Sequence, residues 1–170
     1  MIQRGHAVPV QLDVAMTCPR WREALPRAAA LARRAARAAL DEAAPGIGAA
    51  EVSLVLADDA TLARLNREYR GVRGATNVLS FPSADRRART GESPMLGDVV
   101  LAFETCAGEA KDRGIPLADH LAHLVVHGVL HLLGHDHEKD AEAVRMEALE
   151  TAALGRLGIE DPYQRLENVR

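Results

Sequence analysis

Histidines are concentrated in one short stretch of the sequence, HLVVHGVLHLLGHDH, which spans residues 123–137. This stretch carries five of the seven histidines in the chain. Neutral imidazole is among the commonest metal ligands in proteins, and it suits zinc well. A lone histidine on a helix is usually an ordinary polar position, but a group of this density favours a metal site instead.

The spacing of the histidines limits which of them can bind one ion. Residues four positions apart are neighbours on a helix surface, so His127 and His131 can share a metal. His123 and His131 are separated by about 12 Å along the helix axis, at a rise of about 1.5 Å per residue. These two histidines cannot readily bind the same ion. One pair spaced by four residues must therefore be completed by a ligand from outside the helix.

Gly134 indicates which pair is completed in this way. It follows His131 by three residues, and glycine is favoured at the end of a helix, where the chain can then turn sharply. Such a turn brings His137 back beside His127 and His131. The resulting spacing, H-x3-H-x2-G-x2-H, is that of the metzincin zinc proteases. We therefore predict a metzincin-like helix and one zinc ion per chain, bound by these three histidines.

One residue of the protease pattern is missing. The proteases carry a glutamate directly after the first ligand, and it acts as the general base. Gly128 occupies that position here, which argues against a peptidase that works by the same mechanism. Three protein ligands leave the fourth coordination position open, as is typical of catalytic zinc sites. A water molecule there would become acidic and nucleophilic.

A basic segment at residues 64–89 offers a second group of chemically useful side chains. It has seven arginines and two acidic residues, a formal charge of +5, whereas the whole chain carries −3. Most arginine runs are solvated surfaces. Arg70 and Arg73, however, lie at a predicted helix end and in a glycine-containing loop, where functional groups are common. Because arginine binds phosphate and stabilises charge on a phosphoryl oxygen, the combination with a metal suits phosphodiester hydrolysis, provided that the two segments meet.

The sequence HGVLHLLGHDH resembles the signature of the YbeY family of endoribonucleases, H-G-x-L-H-L-x-G-[YHF]-D-H. The segments REYRGVRGATNVLSFP, LGDVVLAFE and MEALE, followed by LG and DPY, occur in the order found in that family, roughly over residues 51–163. The resemblance implies a metal-dependent enzyme that cuts single-stranded RNA. It also implies a role in maturing the 3′ end of small-subunit ribosomal RNA and in ribosome quality control.

The resemblance further implies roles for individual residues. His127, His131 and His137 match the zinc ligands of the family, and Arg70 matches its functionally important arginine. Asp136 matches an acid that either orients a ligand or handles a proton, and we favour the first role.

Three other histidines are expected to lie outside the ligand set. His135 stands where the family often has tyrosine. It either competes for the metal or is a neutral substitution, and we favour the neutral interpretation. His120 and His123 are expected to line the cleft without binding the ion.

The leading hypothesis is a zinc-dependent endoribonuclease whose partners are precursor ribosomal RNA and, as candidates, the ribosome or small-subunit proteins. One alternative is a metal-dependent peptidase or amidase, against which Gly128 counts. The other is a non-catalytic ribosome-assembly factor with bound zinc. Structural zinc sites generally use four protein ligands, so the open coordination position counts against that alternative.

The elements that must position these residues follow from hydrophobic periodicity and from turn residues. Pro26 is expected at the start of the first helix or within its first turn, and residues 83–95 are expected to form a long polar loop. Strands that interleave with helices predict an α/β (α+β) fold, with one domain over residues 1–170 and a mixed sheet of about four strands. The predicted strands are 8–14, 51–57, 77–82 and 97–103, and the predicted helices are 21–43, 58–71, 104–114, 116–134 and 138–158.

Composition limits the remaining classes of protein. Apolar residues make up 48% of the chain and aromatic residues only 3%, so the core should consist of leucine, valine and alanine. No apolar run approaches the roughly 18 residues that span a bilayer, and the first residues lack the apolar core of a signal peptide. We therefore expect a cytoplasmic protein. Cys18 and Cys106 are expected to be reduced thiols rather than a disulfide or a nucleophile.

Overall fold

A computed structural model of the chain describes residues 10–84 and 94–163. The strands are β1 (Gln11–Met16), β2 (Glu51–Ala57), β3 (Val78–Pro82) and β4 (Met95–Ala102). They form one mixed sheet in the order β1-β2-β4-β3, in which β1, β2 and β4 are parallel and β3 runs antiparallel to β4. This architecture confirms the predicted α/β fold with a four-stranded mixed sheet.

Six helices lie within the described residues: α1 (Arg20–Ala24), α2 (Ala28–Ala43), α3 (Asp59–Arg70), α4 (Phe103–Arg113), α5 (Leu117–Leu132) and α6 (Asp140–Arg156). The long helices α2 and α5 pack against one face of the sheet, and α6 packs against both of these helices. The shorter helix α3 covers part of the opposite face through a small apolar cluster around Leu62 and Leu79.

The prediction of one continuous helix over residues 21–43 is wrong, because the chain breaks at Pro26. Leu25 is extended, with φ −135° and ψ 93°, as the ring of a following proline requires. Pro26 lies in the connection between α1 and α2, and α2 starts two residues later. The break allows Trp21 to turn into the core, where its indole Nε1 donates a hydrogen bond to the Ala57 carbonyl at 2.9 Å.

Helix α5 is the central element of the core. Ten of its sixteen residues are buried, so it contacts protein on nearly all sides. Its closest helical neighbour, α2, presents a row of buried alanines, whose small side chains let the two helices approach closely. The core therefore consists of aliphatic residues with few aromatic rings, as composition predicted.

β1 forms one edge of the described sheet, and arginines from α2 cover that edge. The Gln11 amide donates a hydrogen bond to Ala50 beside β2 at 2.8 Å, so the alternation of the strand leaves the carbonyls of Val10 and Leu12 facing away from the sheet. Arg33 Nε lies 3.2 Å from the Leu12 oxygen, and Arg37 Nη2 lies 3.4 Å from the Val10 oxygen.

Across residues 10–84 and 94–163, none of the helices has the length and apolar character needed to cross a bilayer. Cys18 and Cys106 are both buried and unpaired with one another. Burial, together with the nearby Glu109 carboxylate, raises the pKa of Cys106 to about 12. Cys106 is therefore a thiol at neutral pH, as expected for a packing residue.

Candidate metal centre

The end of helix α5 creates the turn on which the site depends. Gly134 has φ +94°, a conformation that residues with side chains rarely adopt. The His135 amide donates to the Leu130 carbonyl, and the Gly134 amide donates to the His131 carbonyl, both at 3.0 Å. These two bonds form a Schellman motif, which closes the helix and reverses the chain. The reversal carries His137 back to the last turns of α5.

The three histidines predicted as ligands come together at this point. His127, His131 and His137 each present a ring nitrogen, and these nitrogens all lie within 4.8 Å of one another. The Nε2 atoms of His127 and His131 are 3.0 Å apart. Two nitrogens of a tetrahedral zinc site are separated by ~3.3 Å, given bond lengths of about 2.0–2.1 Å. The cluster could therefore hold one metal ion with little rearrangement.

A buried carboxylate supports this cluster from behind. Glu150 on α6 is 1% exposed. Its Oε1 accepts a hydrogen bond from His127 Nδ1 at 2.7 Å, and its Oε2 accepts one from His123 Nε2 at 2.7 Å and one from the Tyr163 hydroxyl at 2.5 Å. Burial raises the pKa of Glu150, but the three hydrogen bonds outweigh it and bring the pKa to about 2. Glu150 is therefore ionised at neutral pH.

Glu150 is not among the site residues predicted from the sequence. One indication was available, because Glu150 follows Met146 by one helical turn and precedes Ala153 and Leu154, all of which are buried. An acidic residue on the apolar side of an amphipathic helix requires a partner. The periodicity of α6 could not indicate that this partner is a histidine on α5.

The other two clustered histidines have different surroundings. Burial lowers the pKa of His131, and the neighbouring His127 and His137 lower it further. Its imidazole is therefore neutral and available to a metal at neutral pH. His137 is exposed on the turn after α5. Its backbone amide donates to Asp136 Oδ1 at 2.7 Å, while its ring Nδ1 lies 3.7 Å from the same oxygen. The Asp136 carboxylate thus holds the backbone of the turn that presents His137.

A cleft of about 560 Å³ opens in front of the histidines. Arg70, the last residue of α3, lines one side of this cleft, and Asp136 and His137 line another. Gly71 ends α3 with φ 65°, which turns the chain away and leaves the Arg70 side chain exposed. The basic segment and the histidine cluster therefore meet, as phosphodiester chemistry would require. The remaining walls of the cleft are formed by Thr76, Asn77, Val78, Leu79, Ser80, Pro82 and Glu138.

Gly128 faces the sheet instead of the cleft. A Cβ atom at this position would lie 2.5 Å from Val99 Cγ1 and 3.0 Å from Ser80 Oγ. The Ser80 hydroxyl also donates a hydrogen bond to the Gly128 carbonyl at 2.9 Å. No side chain fits in this space, so a general-base glutamate cannot occupy the position that it has in the zinc proteases.

The expectation that His120 and His123 line the cleft is wrong. His120 is 2% exposed, and its Nε2 lies 3.1 Å from Glu109 Oε1 on α4. His123 contacts Glu150 on α6 and does not border the cleft. The physical reason is that α5 is buried nearly all round, so His120 and His123 face neighbouring helices.

His135 is not part of the histidine cluster, and it lines a second, smaller pocket with Glu142 and Arg145. Arg73 is exposed in the loop after α3 and does not line the cleft. The distal arginines of the basic segment, Arg86, Arg87 and Arg89, fall outside the described residues.

Comparison with known proteins supports the resemblance noted in the sequence. A family model described as Endoribonuclease YbeY matches residues 20–158. Endoribonuclease YbeY of Paramagnetospirillum magneticum is 55% identical over 159 residues, which cover 92% of this chain and 97% of that protein. The protein of the same name from Rhodospirillum rubrum is 51% identical over 164 residues, covering 91% of this chain and 82% of the relative.

A solved structure shares the fold. The solution structure of TM1509 from Thermotoga maritima superposes with a TM-score of 0.52 and covers 88% of this chain and 91% of that chain. The two sequences are 19% identical, so this likeness concerns the fold alone.

Proposed function

The chain belongs to the YbeY family of endoribonucleases, and we propose that it cuts single-stranded precursor ribosomal RNA with a zinc ion bound by His127, His131 and His137. It is a hydrolase that acts on RNA phosphodiester bonds. The proposed substrate region is the 3′ end of small-subunit ribosomal RNA, and the proposed partners are the ribosome and its small-subunit proteins. The observation that carries the proposal is that Arg70 and the three clustered histidines line one cleft.

The donor set fits a zinc ion. Three imidazole nitrogens within 4.8 Å of one another supply the ligands that zinc prefers, and three ligands are typical of a catalytic site. Bound zinc supplies Lewis-acid chemistry, because it polarises a phosphoryl oxygen and lowers the pKa of a water molecule.

The protein side chains have separate tasks in this proposal. The Arg70 guanidinium contacts the scissile phosphate and stabilises the negative charge that develops on its oxygens. Asp136 fixes the turn that carries His137, so that this exposed ligand stays beside His127 and His131. The Thr76 hydroxyl borders the same cleft and can donate a hydrogen bond to the sugar or the phosphate, whereas the Ser80 hydroxyl already donates to the Gly128 carbonyl.

The two alternatives have less support. A peptidase of the metzincin type needs a base where Gly128 packs against Val99 and Ser80. A purely structural zinc site needs no arginine and no open cleft in front of the metal, and both are present here.

The proposal is tested by single-turnover cleavage of a labelled RNA that spans the 3′ end of the small-subunit precursor. Zinc-loaded protein should cut this RNA and an unstructured oligonucleotide, and it should leave a matched duplex and casein intact. Treatment with a chelator should abolish cleavage, and added zinc should restore it. Cleavage that persists after complete metal removal, or casein hydrolysis without RNA cleavage, would overturn the proposal.

A further inference from the structure

Glu150 has no part in the function proposed above, although it is the most deeply buried acidic residue in the described residues. It lies on α6 beside the apolar residues Met146, Ala153 and Leu154, all of which are buried. Placing an ionised carboxylate in such surroundings is unfavourable unless donors satisfy both of its oxygens. The donors to the Glu150 oxygens are His127 Nδ1, His123 Nε2 and the Tyr163 hydroxyl.

The hydrogen bond to His127 determines which nitrogen of that ring is free. An ionised carboxylate can only accept, so the His127 Nδ1 atom, 2.7 Å from Glu150 Oε1, must carry the proton. In a neutral imidazole the other nitrogen, Nε2, then has a free lone pair. Nε2 is the atom that lies 3.0 Å from His131 Nε2 and points into the cluster. Glu150 thus selects the tautomer of His127 that can bind a metal there.

Two further residues hold the Glu150 carboxylate in place. His123 Nε2 and the Tyr163 hydroxyl both donate to Oε2, so the carboxylate is held with Oε1 directed at His127. His123 precedes His127 by one turn of α5, and Tyr163 lies in the segment after α6. His123 is not one of the clustered histidines, but it helps to hold the carboxylate that contacts His127.

We propose that Glu150 is a positioning residue that fixes the orientation and tautomer of His127 for metal binding, and that His123 and Tyr163 anchor it. The inference rests on the metal centre proposed above. Partners of this kind typically change metal affinity by about 10- to 100-fold when they are removed. Removal of an anchor should have a smaller effect, because Glu150 then keeps its bond to His127.

The first test measures zinc affinity by competition with a chelator, in wild-type protein and in variants that keep side-chain volume. Glu150→Gln should weaken zinc binding by about 10- to 100-fold, and Tyr163→Phe should weaken it by less. Glu109→Gln is the matched control, since it removes a carboxylate that contacts His120 of the same helix but none of the clustered histidines. The control should bind zinc as wild type does.

The second test separates positioning from a merely structural role. In metal-free wild-type protein, ¹⁵N chemical shifts should show His127 as one tautomer with the proton on Nδ1, and Glu150→Gln should show a mixture. Lower thermal stability of Glu150→Gln with unchanged zinc affinity and unchanged tautomer would overturn the inference. If Glu150→Gln fails to fold, the zinc affinity of Tyr163→Phe tests the inference instead. A wild-type zinc affinity in Tyr163→Phe would also overturn the inference. Failure of wild-type protein to bind zinc would instead overturn the proposed function.

Discussion

In the proposed reaction Arg70 stabilises charge on the phosphate, whereas the clustered histidines bind the zinc ion. Single substitutions should distinguish these two roles. Arg70 is exposed and, within the described residues, is not a hydrogen-bond partner of the clustered histidines, so Arg70→Ala should keep its fold and its zinc. Its single-turnover cleavage of single-stranded RNA should fall on the order of 10²-fold or more, as when one oxyanion-stabilising donor is lost. Arg70→Lys should recover only part of this loss, because an ammonium cannot form the two parallel bonds of a guanidinium.

The control for this experiment is Arg73→Ala. Arg73 is also exposed and lies three residues further along, but it does not line the cleft. Its removal should leave the rate of the chemical step close to that of wild type. Zinc-loaded Arg70→Ala that cuts as fast as wild type would contradict a catalytic role for Arg70.

The metal content of the protein should depend on the clustered histidines. His131→Ala removes one of the three clustered nitrogens, so most of the zinc should be lost. His135→Ala changes a histidine on the same turn whose ring lies in a different pocket, so about one zinc per chain should remain. Elemental analysis of both purified variants measures this difference, and full zinc in His131→Ala would exclude His131 as a ligand.

Sequence reasoning anticipated the clustered histidines but missed the glutamate that supports them. His127 and His131 lie on one helix and His137 follows a glycine, so spacing along the chain was enough to bring the three together. Glu150 reaches His127 from another helix, and local periodicity contains no information about which helices pack together. The same limit applies to His120, whose partner Glu109 lies on α4.

Among the elements, α5 shows how packing against the sheet constrains a single position. Gly128→Ala would place a Cβ atom 2.5 Å from Val99 Cγ1, and overpacking of this kind typically destabilises a protein by about 1–3 kcal/mol. Gly108 is also within a helix, but a Cβ atom there would meet nothing within 4 Å. Gly108→Ala should therefore stabilise the protein by about 0.5–1 kcal/mol, because alanine loses less backbone entropy.

Urea unfolding of both variants provides the measurement. The opposite signs are diagnostic, since both substitutions add one methyl group to a helical glycine. Equal effects of the two substitutions would mean that the contact between α5 and β4 is looser than the distances indicate.

Helix α5 also carries a group that makes stability depend on pH. Burial lowers the pKa of His120, and this effect is opposed by the hydrogen bond that the ring donates to the Glu109 carboxylate. The unfolded chain therefore binds a proton at this position more readily than the folded protein does, and stability falls as pH drops below about 6.5. His120→Gln cannot take up this proton, so its free energy of unfolding should decrease less between pH 7.5 and pH 5.5.

The measurement is urea unfolding of metal-free wild type and His120→Gln at both pH values. Working without metal keeps changes in zinc affinity out of the comparison. His131, whose pKa is also lowered, should leave some pH dependence in both proteins. An unchanged pH dependence in His120→Gln would show that His120 is not a major contributor.

The elements themselves were largely predictable, because their ends carry strong local determinants. Gly71, Gly114 and Gly134 each have a positive φ and follow a helix, and a glycine at such a position is a strong sequence indicator of a helix end. The exception was residues 21–43, where a long run of alanine and leucine concealed the break at Pro26. Helix propensity favoured continuity there, whereas the steric effect of proline on Leu25 decided the outcome.

Charge is distributed unevenly over the molecule. The chain carries a net charge of −3, so it has no general attraction for a polyanion such as RNA. Arg64, Arg67, Arg70 and Arg73 place positive charge along α3 and the loop that follows it, and Arg70 among them lines the cleft. Local rather than overall charge must therefore guide RNA to the histidines, and this attraction should weaken as salt increases.

The arginines over β1 have a consequence for how the molecules behave toward one another. An open strand edge is a template on which another chain can add a strand, and such addition leads to aggregation. The guanidinium groups of Arg33 and Arg37 donate hydrogen bonds to the Leu12 and Val10 carbonyls, which an added strand would need as acceptors. Replacing both with alanine should therefore raise light scattering during mild heating, whereas Arg27→Ala with Arg34→Ala, which removes the same charge, should not. Equal scattering by the two double variants would mean that charge alone keeps the molecules apart.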